Sequence, residues 1–209
     1  MPEVNRPVIA VFDFDGTLTR RDTLLPFLVR SLGWPKFLWA MLLSSPWLAA
    51  YALRLMSNHR AKARLLKVSL AGLSEAQAQQ QAQRFVAHDL PTQWHAWAMA
   101  QLREHQRLGR TCVIVSASPD LYLSTVASKL GVNALLCTEM TLHDGHYTGE
   151  MATPNCHGEQ KVIRLQTWLR ENFPNEAPPE IHAYGDTPGD FPLLRMADRA
   201  WYRAQPWTG

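Results

Sequence analysis

The chain has 209 residues, of which 46% are hydrophobic and 19% are charged, and its formal net charge is +3. This composition excludes a disordered or fibrous chain, and so small a net charge does not indicate a nucleic-acid partner. The length predicts one domain, or a core with a modest insertion, with enough chain to bury a hydrophobic core.

The first predicted element is a buried strand, Val8–Phe12, which leads into an Asp-Phe-Asp-Gly-Thr segment. Strand alternation places Asp13 and Asp15 on one side of the chain, while Phe14 faces the other side. Two carboxylates this close need a cation between them, or one of them must take up a proton. Because α/β sheets bind ligands at the carboxyl ends of their strands, the segment predicts metal-assisted chemistry with a carboxylate nucleophile.

The next stretch, from about Arg20 to His105, shows helical rather than strand periodicity. A helix start is predicted around Thr23, and Ser74 with Gln77 has the spacing of a capping box. A further helix is predicted from Pro91 to Leu108. These helices predict an insertion that interrupts a strand-rich core.

One part of this insertion, Phe37–Leu53, has no charged residue and is bounded by Lys36 and Arg54. A Ser-Ser-Pro sequence ending at Pro46 predicts two short helices or a kink. The segment is shorter than the about 20 apolar residues that usually span a bilayer. Packing among cap helices and against the core is the favoured interpretation, with contact to a membrane surface second and a membrane span third.

A basic stretch, Arg54 to Lys67, follows directly. A solvated helix face is the simplest interpretation of such a stretch. The alternative is a surface that attracts an anionic substrate or anionic lipid headgroups.

After Gly109 the pattern alternates between strand and helix, which predicts a right-handed, doubly wound parallel sheet. The expected fold class is therefore α/β, a Rossmann-like core with an inserted helical cap. The predicted core comprises residues 1–19 and 101–209, and the predicted cap comprises residues 20–100. The elements predicted after Gly109 are strands at Thr111–Ala117, Ala134–Thr138, near Ile181 and near Ala200, helices at Pro119–Leu130, after Lys161 and at Pro188–Met196, and a hairpin at Met140–Met151 around Asp144-Gly145.

Polar residues follow each main strand of the predicted sheet. Ser116 lies at the end of the second strand, Lys161 begins a helix, and a Gly-Asp-Thr-Pro-Gly-Asp sequence ending at Asp190 follows a later strand. In this order, and after the first Asp-Phe-Asp-Gly-Thr segment, the motifs resemble the haloacid dehalogenase superfamily. The resemblance covers roughly Val8 to Tyr202. It is to the phosphatase branch, similar to phosphoserine phosphatases, in which a helical cap follows the first motif.

The resemblance implies a role for each motif residue. Asp13 would attack phosphorus and form an aspartyl-phosphate, and Asp15 would act first as acid and then as base. Mg²⁺ would be the cofactor, because the expected ligands are all oxygen atoms. The implied metal-site residues are Asp13, the main-chain carbonyl of Phe14, Asp15, Asp186 and Asp190, and the implied substrate-binding residues are Gly16, Thr17, Ser116, Ala117 and Lys161.

The substrate is expected to be a small phosphorylated molecule, because a second aspartate at position 15 argues for phosphate-ester chemistry within the superfamily. Phosphoserine is one candidate, for which the resemblance places the cap contacts near Asp22 and Lys67. A lipid phosphate such as phosphatidylglycerophosphate is the other, since the cap is rich in tryptophan and apolar residues. A non-catalytic protein that binds a phosphorylated ligand or a membrane on the same fold is the alternative function.

The three cysteines are widely spaced, and Cys112 and Cys137 lie in strand-like runs, which predicts buried free thiols. The segment Met1 to Pro7 has no signal-peptide pattern. These features predict a cytoplasmic location, with the cap at most peripheral to a membrane face.

Overall fold

The computed structural model describes residues 6–174 and 177–209. Most of the Met1 to Pro7 segment, and residues 175 and 176 of a linker-like loop predicted at Pro174–Pro179, lie outside the described residues. The strands are β1 (Val8–Phe12), β2 (Thr111–Pro119), β3 (Ala134–Thr138), β4 (Met140–His143), β5 (His146–Met151), β6 (Glu180–Gly185), β7 (Arg199–Tyr202) and β8 (Gln205–Pro206).

Six strands form one sheet in the order β3-β2-β1-β6-β7-β8, in which β8 alone is antiparallel to its neighbour. Phe12, the last residue of β1, pairs with Ile114 of β2 and with Tyr184 of β6. The Asp13 backbone N–H then donates a hydrogen bond to the Tyr184 carbonyl at 2.9 Å. The first predicted aspartate therefore lies at the carboxyl edge of the sheet, between its two central neighbours.

The helices are α1 (Leu24–Leu32), α2 (Trp34–Ala52), α3 (Asn58–Leu70), α4 (Glu75–Arg84), α5 (Ala96–Arg107), α6 (Asp120–Leu130), α7 (Glu159–Asn172) and α8 (Phe191–Met196). Alternate residues of β1 face opposite sides of the sheet, as strand geometry requires. Ala10 and Phe12 pack with α5, α6 and the cap, whereas Ile9 and Val11 pack with α7 and α8. Two helical layers thus cover a mainly parallel sheet, and the predicted α/β class with a helical insertion is confirmed.

The insertion leaves and rejoins the core at two adjacent segments. Thr19 forms a β-bridge with Trp94. Next to it, the Arg20 N–H donates to the Gln93 carbonyl at 2.7 Å, and the His95 N–H donates to the Leu18 carbonyl at 2.9 Å. We propose that the cap lies between these two crossings and that α5 belongs to the core.

The helix predicted from Pro91 to Leu108 begins later than expected, at Ala96. The pairing of residues 93–95 with residues 18–20 keeps this part of the chain extended. The side chain of His95 then caps the new helix by accepting a hydrogen bond from the Ala98 N–H.

The prediction of two short helices in Phe37–Leu53 is wrong, because α2 continues through Pro46 as one helix of 19 residues. Proline removes one backbone donor and would leave the Leu42 carbonyl without its usual partner. The Ser45 hydroxyl donates to that carbonyl at 2.7 Å. Across the described residues, every helix falls short of the length and apolarity needed to cross a membrane.

The predicted hairpin is confirmed as β4 and β5. Asp144 and Gly145 both have positive φ, 47° and 71°, as a two-residue turn of type I′ requires. The hairpin is also bonded to the cap, since the Tyr147 N–H donates to the Leu73 carbonyl and the Gly72 N–H donates to the Tyr147 carbonyl. All three cysteines are buried free thiols, which confirms that expectation.

The close approach of β5 to α3 predicts different costs for two glycine substitutions. A Cβ on Gly149 would lie 2.6 Å from the Lys67 Cα, whereas a Cβ on Gly145 would have no atom within 4 Å. Both glycines have positive φ. We expect Gly145→Ala to lose about 1 kcal/mol of unfolding free energy through backbone strain, and Gly149→Ala to lose at least about 2 kcal/mol. Urea denaturation measures both, and equal losses would contradict the contact between β5 and α3.

Candidate active site

Three carboxylates meet at the carboxyl edge of the sheet. Asp13 follows β1, Asp186 follows β6, and Asp190 lies one helical turn further on. One carboxylate oxygen from each lies within 4.8 Å of the others. The topology brings these acids together, because β1 and β6 are neighbouring parallel strands and end side by side.

Lys161 joins two of these acids. Its Nζ lies 2.5 Å from the Asp13 Oδ1 and 2.6 Å from the Asp190 Oδ1, and its side chain is 3% exposed. Burial lowers the pKa of Lys161, but the adjacent Asp13 and Asp190 outweigh burial and raise this pKa above its ordinary value. The ammonium group therefore stays charged and offsets part of the buried negative charge.

Asp190 uses both carboxylate oxygens in contacts within the protein. Its Oδ1 accepts from Lys161, and its Oδ2 accepts from the Asp186 N–H at 3.2 Å and from the Thr187 N–H and hydroxyl at 2.9 Å each. Although burial opposes ionisation, Lys161 and these donors hold the pKa of Asp190 below its ordinary value. This geometry suits Asp190 to positioning Lys161 and the loop that carries Asp186.

Asp13 and Asp186 face each other across one hydroxyl group. The Thr17 Oγ1 lies 3.2 Å from the Asp13 Oδ2 and 3.1 Å from the Asp186 Oδ1. A hydroxyl has one proton, so it can donate to only one of the two carboxylates at a time. Burial, and then the charge of Asp190, raise the pKa of Asp186. Both observations indicate uncompensated negative charge at this point.

Gly16 makes this approach possible. Its φ is +83°, and a Cβ at this position would fall 2.1 Å from the Asp186 Oδ2. A side chain here would both strain the backbone and displace the carboxylate. The predicted residues Gly16 and Thr17 therefore contact the acidic cluster from the loop after β1.

The side chain of Asp15 lies outside this cluster, and the role of Asp15 as a metal ligand stays a prediction. Its Oδ1 accepts from the Thr23 N–H at 2.7 Å and from the Thr23 hydroxyl at 2.6 Å, and its Oδ2 accepts from the Ser118 hydroxyl. Because Thr23 donates its single proton to Asp15, Tyr122 must be the donor in its 3.0 Å contact with Thr23. Burial, and then the charge of Asp22, raise the pKa of Asp15 to about 6.

The main-chain carbonyl of Phe14 is bonded within its own loop. It accepts hydrogen bonds from the Thr19 N–H at 3.0 Å and from the Thr19 hydroxyl at 3.2 Å. Both hydrogen bonds close the turn Phe14–Leu18, in which Asp15 and Gly16 have non-helical backbone angles. The role of this oxygen as a metal ligand stays a prediction.

Ser116 and Ala117 lie where β2 ends beside β1. The Ser116 hydroxyl oxygen accepts from the Ser118 N–H at 3.1 Å. The Ala117 carbonyl accepts from the Thr138 hydroxyl at 2.7 Å and from Lys62 of the cap at 2.6 Å. The structure thus brings both predicted residues to the same edge as Asp13.

A cavity of about 870 Å³ connects these residues with the cap. Its floor includes Asp13, Asp15, Ser116 and Lys161. Residues of the cap line the rest of the cavity. The apolar and cationic ones among them are Arg20, Arg21, Leu24, Leu25, Pro26, Leu48, Tyr51, Ala61, Lys62 and Leu65. The acidic cluster therefore opens into a cavity, accessible from solvent, whose cap side is mainly apolar.

Sequence reasoning missed several residues of this cavity. Thr23 was predicted only as a helix start and Lys62 only as one of a basic stretch, while Ser118 and Tyr122 had no predicted role. The hydroxyl of Ser118, two residues after Ser116, was the one local signal, because residues i and i+2 of a strand face the same side. The other contacts depend on how the cap packs against the core.

The cluster is a good match for Mg²⁺. It offers several carboxylate oxygens and no nitrogen or sulfur ligand within the described residues, and hard divalent cations prefer such sets. Asp13 and Asp186 are the residues suited to hold the ion, since Asp190 is already bonded through both oxygens.

Comparisons with known proteins agree with this fold. The family model for haloacid dehalogenase-like hydrolases matches residues 10–195. Protein CicA of Caulobacter vibrioides is 35% identical over 203 residues, which cover 95% of this chain and 87% of the relative. A crystal structure of a protein of unknown function from Bordetella pertussis Tohama I has a TM-score of 0.80 at 26% identity, covering 94% of this chain and 89% of its own.

The structure of a substrate-bound phosphoserine phosphatase has a TM-score of 0.65 at 16% identity, and the match covers 96% of this chain and 87% of the phosphatase chain. This similarity is one of fold alone. The fold is thus an α/β core in which a helical cap covers a carboxylate centre. The chain belongs to the haloacid dehalogenase-like hydrolases. Within that family, the resemblance to phosphatases with a helical cap after the first motif is confirmed.

Mg²⁺ should stabilise the fold if the paired acids hold it. At a concentration of about 100 times its Kd, we expect an added unfolding free energy of about 2.7 kcal/mol and a corresponding rise in Tm. Asp186→Asn should remove most of this rise, because a neutral amide is a poor ligand for Mg²⁺. The matched control is Asp144→Asn, an acid whose side chain is 88% exposed in the hairpin turn. Equal Mg²⁺ responses in both variants would contradict the assignment.

Proposed function

We propose that the protein is a Mg²⁺-dependent phosphomonoesterase that works through a phosphorylated Asp13. One observation carries the proposal: Asp13 is clamped by Lys161, while Asp15, bonded through different groups, opens into the same cavity. The two carboxylates have different partners, which suits them to different roles.

In the first step an Asp13 oxygen attacks phosphorus. A new bond forms between that oxygen and phosphorus, and the bond from phosphorus to the ester oxygen breaks. Lys161 supports this step, because its ammonium group holds the Asp13 carboxylate in one orientation and presents positive charge to the phosphoryl oxygens. Ser116 is placed to donate a hydrogen bond to the same group, and bound Mg²⁺ would neutralise charge on the phosphoryl oxygens.

Asp15 handles the proton in both steps. As an acid it protonates the departing ester oxygen, and as a carboxylate it then takes a proton from the water that cleaves the aspartyl-phosphate. A pKa near 6 makes both forms accessible close to neutral pH. Thr23 and Ser118 hold the carboxyl group in place from the cap and from the core.

The cavity favours an ester with an apolar body over phosphoserine. Lys67, which the resemblance would use for an amino-acid carboxylate, pairs instead with Glu150 at 2.8 Å on the exposed surface and does not line the cavity. The cap supplies Leu24, Leu48 and Leu65 to the apolar side of the cavity. A lipid phosphate, or another monoester with an apolar group, uses these surfaces better than a zwitterionic amino acid.

Phosphate release across a panel of esters tests the proposal. The panel contains phosphoserine, p-nitrophenyl phosphate and detergent-dispersed lipid phosphates, each with Mg²⁺ and with a chelator. We expect Mg²⁺-dependent release that Asp13→Asn abolishes, and the highest kcat/KM for esters with an apolar body. Mg²⁺ binding without turnover on any ester would favour a non-catalytic phospholigand-binding protein instead.

The raised pKa of Asp15 predicts opposite pH profiles for two kinds of ester. For an alkyl phosphate, whose departing oxygen needs a proton, kcat should fall as pH rises through about 6, because Asp15 loses its proton. For p-nitrophenyl phosphate, whose leaving group needs no proton, cleavage of the aspartyl-phosphate limits the rate, and kcat should rise through about 6.

Asp22→Asn provides the control for these profiles. The charge of Asp22 raises the pKa of Asp15, so its removal should move both midpoints to lower pH. Midpoints that do not move, or two profiles of the same sign, would contradict the role of Asp15.

A further inference from the structure

The outer face of α2 exposes an unusual amount of apolar surface. Trp34, Leu38, Trp39, Leu42 and Leu43 are 41% to 64% exposed. Spacings of four residues place them on one side of the helix. The opposite side carries the buried residues and packs into the cap. Isolated exposed apolar residues are ordinary, but a contiguous face of five large ones marks an interaction surface.

The surrounding charge is strongly one-sided. From Leu24 to Leu70 the sequence contains seven lysine and arginine residues and no aspartate or glutamate. This segment therefore contributes +7 to a total net charge of +3, which leaves −4 for the rest of the chain. Three of these cations are already engaged, Arg30 with Asp89, Lys67 with Glu150 and Lys62 with the Ala117 carbonyl. The other four, Lys36, Arg54, Arg60 and Arg64, still favour an anionic partner for this part of the cap.

The other side of α2 reaches the catalytic cavity. Leu48 and Tyr51, in the last part of α2, line that cavity, and their spacing from the buried Ser44 places them opposite the exposed face. Leu53 and Leu55, which follow the helix, are 70% and 79% exposed. The exposed surface and the cavity thus share one helix.

We propose that the outer face of α2 docks the cap onto an anionic phospholipid surface, with the helix lying in the plane of the interface. Apolar side chains would enter the headgroup region while the flanking cations contact anionic headgroups. Two copies of the chain are a poorer match for each other, because the same positive charge would repel across the contact. The buried side of α2 is packed against the cap, so the helix stays with its fold.

This docking deepens the proposed function and depends on it for its consequence. A phosphate ester carried by a lipid would be presented at the interface beside Leu48 and Tyr51, and its phosphate could reach Asp13 without the whole lipid leaving the membrane. The docking surface and the apolar lining of the cavity then lie on opposite sides of the same helix.

Vesicle binding by the full chain tests the proposal. We expect sedimentation with phosphatidylcholine vesicles that contain about one third phosphatidylglycerol, weaker sedimentation with phosphatidylcholine alone, and loss of binding as salt rises. Leu38→Gln/Leu42→Gln should weaken binding at least about tenfold, because two apolar side chains are removed from the contact. Glutamine keeps the helix propensity, and neither residue lines the catalytic cavity.

The matched control is Leu108→Gln/Ile163→Gln, which changes two exposed apolar residues of the core, 45% and 50% exposed, and should bind as the wild type does. A second variant, Arg54→Gln/Arg60→Gln, should reduce binding to the anionic vesicles and its dependence on salt. Circular dichroism and Tm establish that each variant is folded.

Three results would overturn the proposal: absence of binding to either vesicle, equal binding by the α2 variant and the wild type, or self-association that the α2 variant abolishes without any vesicle binding. Asp13→Asn should bind vesicles normally. The two proposals can therefore fail separately. If the wild type binds vesicles but releases no phosphate from any ester, the docking proposal is supported and the phosphatase proposal is contradicted.

Discussion

The ammonium group of Lys161 is the contact on which the rest of the site depends. It joins an acid from the end of β1 to an acid from the turn before α8, and it comes itself from the first turn of α7. One charge thus fixes three elements at the same edge of the sheet. Without it, two buried carboxylates would be left uncompensated, a loss of about 3–5 kcal/mol in comparable cases.

The two aspartates of the first motif show how far sequence spacing can be trusted. Alternation predicts that Asp13 and Asp15 face the same side, but the strand ends at Phe12 and an irregular turn, Phe14–Leu18, follows. That turn directs Asp13 to Lys161 and Asp15 to Thr23 and Ser118. The same turn uses the Phe14 carbonyl internally. The identity of the motif was predictable, whereas the partners of each atom were not.

Elements governed by local chemistry were predicted well. The strand Ala134–Thr138, the Asp144-Gly145 turn and the capping box of Ser74 and Gln77 each follow from residues close in sequence, and the structure has all three. Errors arose where distant contacts decide the outcome. The start of α5 depends on pairing with residues 18–20, and the place of Lys62 in the cavity depends on how α3 packs against β2. The continuity of α2 is an exception, because the hydroxyl that bonds the Leu42 carbonyl belongs to Ser45, which is next to Pro46 in the sequence.

The hairpin of β4 and β5 also holds one side of the cap against the core. Three backbone hydrogen bonds join the junction of α3 and α4 to this hairpin of the core. They run from the N–H of Gly72 to the Tyr147 carbonyl, from the N–H of Tyr147 to the Leu73 carbonyl, and from the N–H of Glu75 to the Gly145 carbonyl. No backbone hydrogen bond of the described chain ties α2 to the core in this way. One flank of the cap is therefore held to the core by backbone hydrogen bonds, and we expect molecules to enter and leave along the other flank, past α2.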